Sequence, residues 1–140
     1  STQSALETVY LSTDLTDGTW NTISGAVIVD ADTLECSTVA SSRIQTPTAE
    51  IPVAANDTIR ATYRLLDELD LNSTINLRVV DTSGNVTFAE SVETLTGVYV
   101  DYTLEFTVPI GHDGVVLMVR NGTAGTAKTI GVDSVTVQKV

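Results

Sequence analysis

The chain has 140 residues, 18 carboxylates against seven Lys and Arg for a net charge of −11, 42% hydrophobic residues and one cysteine. At this length a chain buries about two-thirds of its unfolded surface, so a core without staples and a single domain over residues 1–140 are expected. The composition excludes a disordered tail and a membrane helix, and basic residues that occur singly, at Arg43, Arg60, Arg64, Arg78, Arg120, Lys128 and Lys139, argue against nucleic acid or an anionic membrane as partner.

In chain order, Leu6, Thr8 and Tyr10 alternate with Glu7, Val9 and Leu11 in a first strand, stopped by Ser12-Thr13-Asp14. Asp17-Gly18-Thr19 is a turn, followed by Trp20 and Ile23. The apolar run Ala26-Val27-Ile28-Val29 reads as a buried strand, closed by Asp30-Ala31-Asp32. From Thr33 to Ala49, Leu34, Cys36, Val39 and Ile44 are spaced too loosely for a helix and Pro47 forbids one late, which leaves short strands and a loop. Cys36 cannot form an intrachain disulfide and reads as a quiet core thiol.

Between Thr58 and Leu65 alternation is strict: Ile59, Ala61, Tyr63 and Leu65 share one face, Thr58, Arg60, Thr62 and Arg64 the other. Leu66-Asp67-Glu68-Leu69-Asp70-Leu71 is too short for a stable helix and reads as an acidic loop. Ile75, Leu77 and Val79 alternate with Asn76 and Arg78, and residues 81–85 turn a hairpin into Val86-Thr87-Phe88, with Glu90 to Thr96 as a link. Val100, Tyr102, Leu104, Phe106 and Val108 alternate with Asp101, Thr103, Glu105 and Thr107. Pro109 and Gly111-His112-Asp113-Gly114 end that strand, and Val115 to Val119 is apolar on both sides, as a central strand is. Asn121-Gly122, the strongest short hairpin dipeptide, turns the chain after Val119, and Ile130 to Val137 is the last strand.

With turn signals every ten residues or so, roughly eight to nine strands and no convincing helix, the expected fold is an all-β antiparallel jelly-roll β-sandwich. Tyr63, Leu104 and Phe106 should share the core while Arg60, Arg64, Thr103 and Glu105 face outward, because a one-residue slip would invert every side chain.

Chemistry has few footholds. The only histidine, His112, lies in a turn, with no G-x-S-x-G elbow elsewhere. The acid pairs, Asp30 with Asp32 and Asp67 with Glu68 and Asp70, sit in hydrophilic turns, where carboxylates stay ordinarily ionised. No C-x-x-C, H-E-x-x-H, phosphate-loop or EF-hand spacing occurs, so the chain reads as non-enzymatic. N-x-[ST] matches at Asn56, Asn72, Asn85 and Asn121 mark turns.

The last third, Tyr102-Thr103-Leu104-Glu105-Phe106, then Val115 to Val119, then Ile130-Gly131-Val132-Asp133-Ser134-Val135-Thr136-Val137, resembles the closing strands of galactose-binding-like jelly rolls, including carbohydrate-binding modules. The resemblance implies a structural calcium site at Asp133 with Glu7 as partner; the alternative is that Asp133 hydrogen-bonds nearby backbone. It also implies sugar stacking on aromatic faces, for which Trp20 and Tyr99 are the candidates.

Two functional readings remain. The chain is poor in spare aromatics, and its Thr-, Val-, Ala- and Ser-rich composition is similar to that of jelly-roll proteins that coat phage capsids, so the first expectation is a structural component of an assembly, a virion decoration or surface protein whose partners are other subunits. The alternative is a carbohydrate-binding module that recognises glycans on a sandwich face or loop end. Ser1-Thr2-Gln3-Ser4 shows no secretion signal, and trimming of an initiator Met would leave such a start; the expected location is the virion surface or the extracellular space.

Overall fold

Strict alternation in the middle of the chain and a doubly apolar run near its end produce two antiparallel sheets packed face to face in the computed structural model, which describes residues 6–140. The chain-start reading on Ser1-Thr2-Gln3-Ser4 lies outside those residues. The first sheet runs β10 (Val100–Thr107), β7 (Thr58–Asp67), β12 (Lys128–Lys139), β4 (Thr33–Cys36), β3 (Val27–Asp30), and β1 (Glu7–Ser12) also pairs with β12. The second runs β2 (Asn21–Ile23), β5 (Arg43–Gln45), β11 (Gly114–Arg120), β8 (Thr74–Val80), β9 (Thr87–Thr94), with the short β6 (Ile51–Pro52) added beside β11. This is the expected jelly-roll sandwich, its strand number raised by short pieces such as β2 and β6. Among the described residues no helix is long and apolar enough to cross a membrane.

The register expectation holds. Tyr63, Leu65 and Leu104 are buried, Phe106 packs against the same core, and Thr103 and Glu105 are exposed while Arg60 and Arg64 keep partial exposure on the outer side. In β12 Ile130, Val132, Val135 and Val137 all face inward although 132 and 135 differ in parity; a bulge between Val132 and Ser134 absorbs the extra residue. That bulge also leaves Asp133 on the outer face. As expected, β11 is central: Val115, Leu117 and Val119 face the core, and Val116 and Met118 are buried on the other side.

Three expectations change. The run at 26–29 forms β3 at a sheet edge, with Val27 and Val29 each 50% exposed, because an apolar run does not distinguish a central strand from an edge. Residues 90–94 continue β9 opposite β8 instead of linking strands. Asn121-Gly122 does turn the chain, Gly122 lying at φ 78, but it carries β11 of one sheet towards β12 of the other rather than closing a hairpin. The buried Asn121 amide holds this crossing by donating to the carbonyls of Ser37 (2.6 Å) and Thr126 (2.7 Å).

Candidate functional site

Trp20 folds inward after its turn. It is 7% exposed, stands edge-on to Tyr10 with ring centroids 6.2 Å apart, and donates its indole N–H to Ser12 Oγ at 3.0 Å. No ring face is left for a sugar, so the platform expected at Trp20 is a core residue: the N–H that needed a partner found one inside. Tyr99 stays partly exposed, with the Arg64 guanidinium 5.8 Å from its ring centroid. Burial, then the carboxylates of Asp32, Glu68 and Asp133, push its phenol up.

The calcium pair does not converge. Glu7 lies opposite Lys139, six residues along β12 from Asp133, about 20 Å at strand rise. Asp133 instead ion-pairs with Arg64 Nε at 3.2 Å, and no group of three or more His, Cys, Asp or Glu gathers as a metal site among the described residues. His112 is not merely solvated: it stands edge-on to Phe88 at 5.1 Å, with Nδ1 3.8 Å from Asp81. Cys36 is buried, and burial pushes its thiol up to about 11, which keeps it protonated and inert near neutrality.

What does converge is a set of residues scattered singly along the sequence. Alternation puts Arg43 and Gln45 of β5, Val116, Met118 and Arg120 of β11, Asn76, Arg78 and Val80 of β8 and Glu90 of β9 on the outer face of the second sheet. Pairing registers lay them in rows across the strands: Arg43 opposite Arg120 opposite Asn76, then Gln45 opposite Met118 opposite Arg78 opposite Glu90. Val80, Val116 and Met118 form a small buried cluster of their own, apart from the main core, and make an apolar floor.

The face is hollowed. One depression of about 460 Å³ lies between Arg78, Glu90, Val92 and Arg120, and another of about 380 Å³ between Arg43, Gln45, Met118 and residues 81–84. A third, about 350 Å³, adjoins the second at Thr48 and Thr82 and reaches Asp113. The turn at 81–86 is one wall. It is held by Asp81, whose carboxylate accepts from the N–H groups of Val86 (3.1 Å) and Asn85 (3.0 Å) and from the Ser83 hydroxyl (2.8 Å), contacts that keep its carboxyl below the usual range. At the other end Gly122 presses on Asn76 of β8: a Cβ there would lie 2.9 Å from the Asn76 Cβ, so the close approach needs glycine.

Each guanidinium on this face is positioned by a polar neighbour. Arg120 Nη1 donates to Asn76 Oδ1 at 2.6 Å, Arg43 Nε to Gln45 Oε1 at 2.8 Å and Nη1 to the Ser41 carbonyl at 2.9 Å, and Arg78 Nε to Glu90 at 3.0 Å. Burial first and then the neighbouring arginines lower the pKa of Arg43 and Arg120, and both remain charged. The arrangement offers fixed donors, amides and an apolar floor, which are the means of binding rather than of bond-making. Single-residue spacing hid it; the readable signal was the outward set in the alternation of residues 76–80, continued by Arg43 and Gln45 on either side of buried Ile44.

No family model matches the chain, and no curated protein matches it. Among solved structures it is similar to the second N-terminal cellulose-binding domain from Cellulomonas fimi β-1,4-glucanase C, with a TM-score of 0.67 at 15% identity over 99% of this chain and 98% of that one. It is likewise similar to the CBM22-1 xylan-binding domain of a Paenibacillus barcinonensis protein, with a TM-score of 0.66 at 12% identity, covering 99% and 98% of the two chains. A Clostridium thermocellum xylanase comprising CBM22-1 and GH10 modules in complex with xylohexaose gives a TM-score of 0.70 at 10% identity, over 96% of this chain and 28% of that one. The fold is therefore a jelly roll of the carbohydrate-binding-module kind.

Proposed function

We propose that this chain is a non-catalytic carbohydrate-binding module, and that the hollowed outer face of the second sheet takes a polysaccharide chain. The observation that carries the reading is the two-row array of oriented polar side chains over the Val80, Val116 and Met118 floor. Five strands at about 4.8 Å spacing make a face roughly 19 Å across, wide enough for several consecutive sugar units. Hydroxyl groups would meet the Gln45 amide and the guanidinium forks, which are held over that buried apolar floor. This displaces the virion-decoration expectation, which rested on composition and on a shortage of free aromatics; a face without aromatics still offers oriented donors and acceptors to sugar hydroxyls. Extracellular placement and a glycan partner follow from the same reading.

Affinity electrophoresis against a panel of soluble plant, algal and bacterial polysaccharides tests it. Retardation by at least one polymer, lost in an Arg120→Ala, Met118→Ala double variant that melts as a folded protein, is the expected result. Binding that survives the double variant would move the site, with Tyr99 and its Arg64 neighbour next in line.

A further inference from the structure

The two outer faces of the sandwich treat their arginines in opposite ways. On the first sheet each arginine sits directly across from a carboxylate: Arg60 opposite Glu105 with an ion pair of 3.0 Å, and Arg64 opposite Asp101 at 3.3 Å with Asp133 at 3.2 Å. On the second sheet Arg43 lies directly across from Arg120, a like-charge pair at a spacing where such pairs destabilise a sheet. Arg78 is close enough to perturb both, and the one carboxylate in this array, Glu90, already pairs with Arg78. Among the described residues Arg43 and Arg120 are the two guanidinium groups with no carboxylate in ion-pair reach, in a chain that carries eleven more negative than positive charges.

Leaving two arginines face to face and unpaired in an acid-rich molecule costs stability unless something outside the chain completes them. We propose that the polysaccharide bound on this face is a uronate polymer, with a sugar carboxylate received between Arg43 and Arg120. Guanidinium forks match carboxylate geometry, and both are already oriented, Arg120 by Asn76 and Arg43 by Gln45 and Ser41. Charge density argues for one carboxylate per sugar rather than several sulfates: beyond this face the net charge of −11 repels a dense polyanion. The inference rests on the glycan-binding reading and adds the class of ligand.

The test is isothermal titration of the full chain with polygalacturonate, alginate, methyl-esterified polygalacturonate, a neutral β-glucan, dextran sulfate and polyglutamate. The expected result is binding to polygalacturonate or alginate, weakened by added salt, at least about tenfold weaker for the methyl ester, and at least about tenfold weaker in Arg43→Gln and in Arg120→Gln. Arg60→Gln, on the other face, should bind as the parent does. Both site variants should melt as cooperatively folded proteins close to the parent temperature, since each removes a like-charge contact along with its hydrogen bonds, which separates lost binding from lost folding. Binding to neutral polymer alone, unchanged in these variants, would overturn the uronate inference and leave the module reading standing. Equal or tighter binding of dextran sulfate or polyglutamate would overturn it as general anion attraction. Binding of none of the six would overturn it too, leaving the wider polysaccharide panel to decide the module reading.

Discussion

Asp67 and Tyr63, both on β7 and both buried, show opposite fates for a polar group inside the sandwich. The Asp67 carboxylate accepts from the N–H groups of Ser73 (2.8 Å), Leu69 (3.1 Å) and Leu71 (3.2 Å), so the acidic loop read from the sequence is organised around one acid. Burial pushes this carboxyl up, and those N–H donors outweigh burial and hold it below its ordinary value. The unfolded chain therefore binds more protons across that window. The stabilisation is complete above the unfolded carboxylate value near 4 and is lost as pH falls through the lower folded one. Asp67→Asn should cost about 1–3 kcal/mol in urea denaturation at neutral pH and flatten the acid limb of the stability curve. Tyr63 has no partner for its hydroxyl. Tyr63→Phe should leave stability unchanged or raise it by about 1 kcal/mol, since the hydroxyl is desolvated without return; a loss of 2 kcal/mol would mean that its O–H is bonded in solution.

At the scale of elements the weak point of a two-sheet fold is the crossing between sheets, where neither ladder supplies hydrogen bonds. Here Asn121 holds residues 37 and 126, and the buried ammonium of Lys128, at the start of β12, donates to the carbonyls of Thr74 at the start of β8 and of Asn121 (2.9 Å) just after β11. Three strands from both sheets thus meet at one cation. Lys128→Met and Asn121→Ala should each cost about 1–3 kcal/mol, by orphaning buried carbonyls. Because both act on one crossing, the double variant should lose less than the sum by about 0.5 kcal/mol or more, and strict additivity in a denaturation cycle would show two independent anchors.

For the whole molecule, an excess of eleven negative charges makes stability respond to any cation by screening. A specific calcium site would add a rise in melting temperature proportional to the logarithm of free calcium. With Glu7 and Asp133 far apart along β12, and Asp133 engaged by Arg64, calcium and magnesium at equal millimolar concentration should shift the melt equally. A shift for calcium several degrees larger than for magnesium would restore a site.

The sequence by itself determined an antiparallel all-β fold with one buried face per strand and a central strand buried on both, because period-two alternation over 58–65 and 100–108 and a doubly apolar run at 115–119 ask for those environments. It also determined the inward set of Tyr63, Leu104 and Phe106, since parity within one strand is a local property. Tertiary structure alone decided which strands are neighbours. Val27 and Val29 went to an edge, Trp20 turned in towards Ser12, and Glu7 and Asp133 were kept apart, none of which parity can report. The candidate face was only partly legible for the same reason. Arg43, Arg78 and Arg120 are isolated in sequence, and only the register of β5, β11 and β8 places Arg43 across from Arg120 and Arg78 in the adjoining row, because in a sheet proximity is set by pairing between strands and not by distance along the chain.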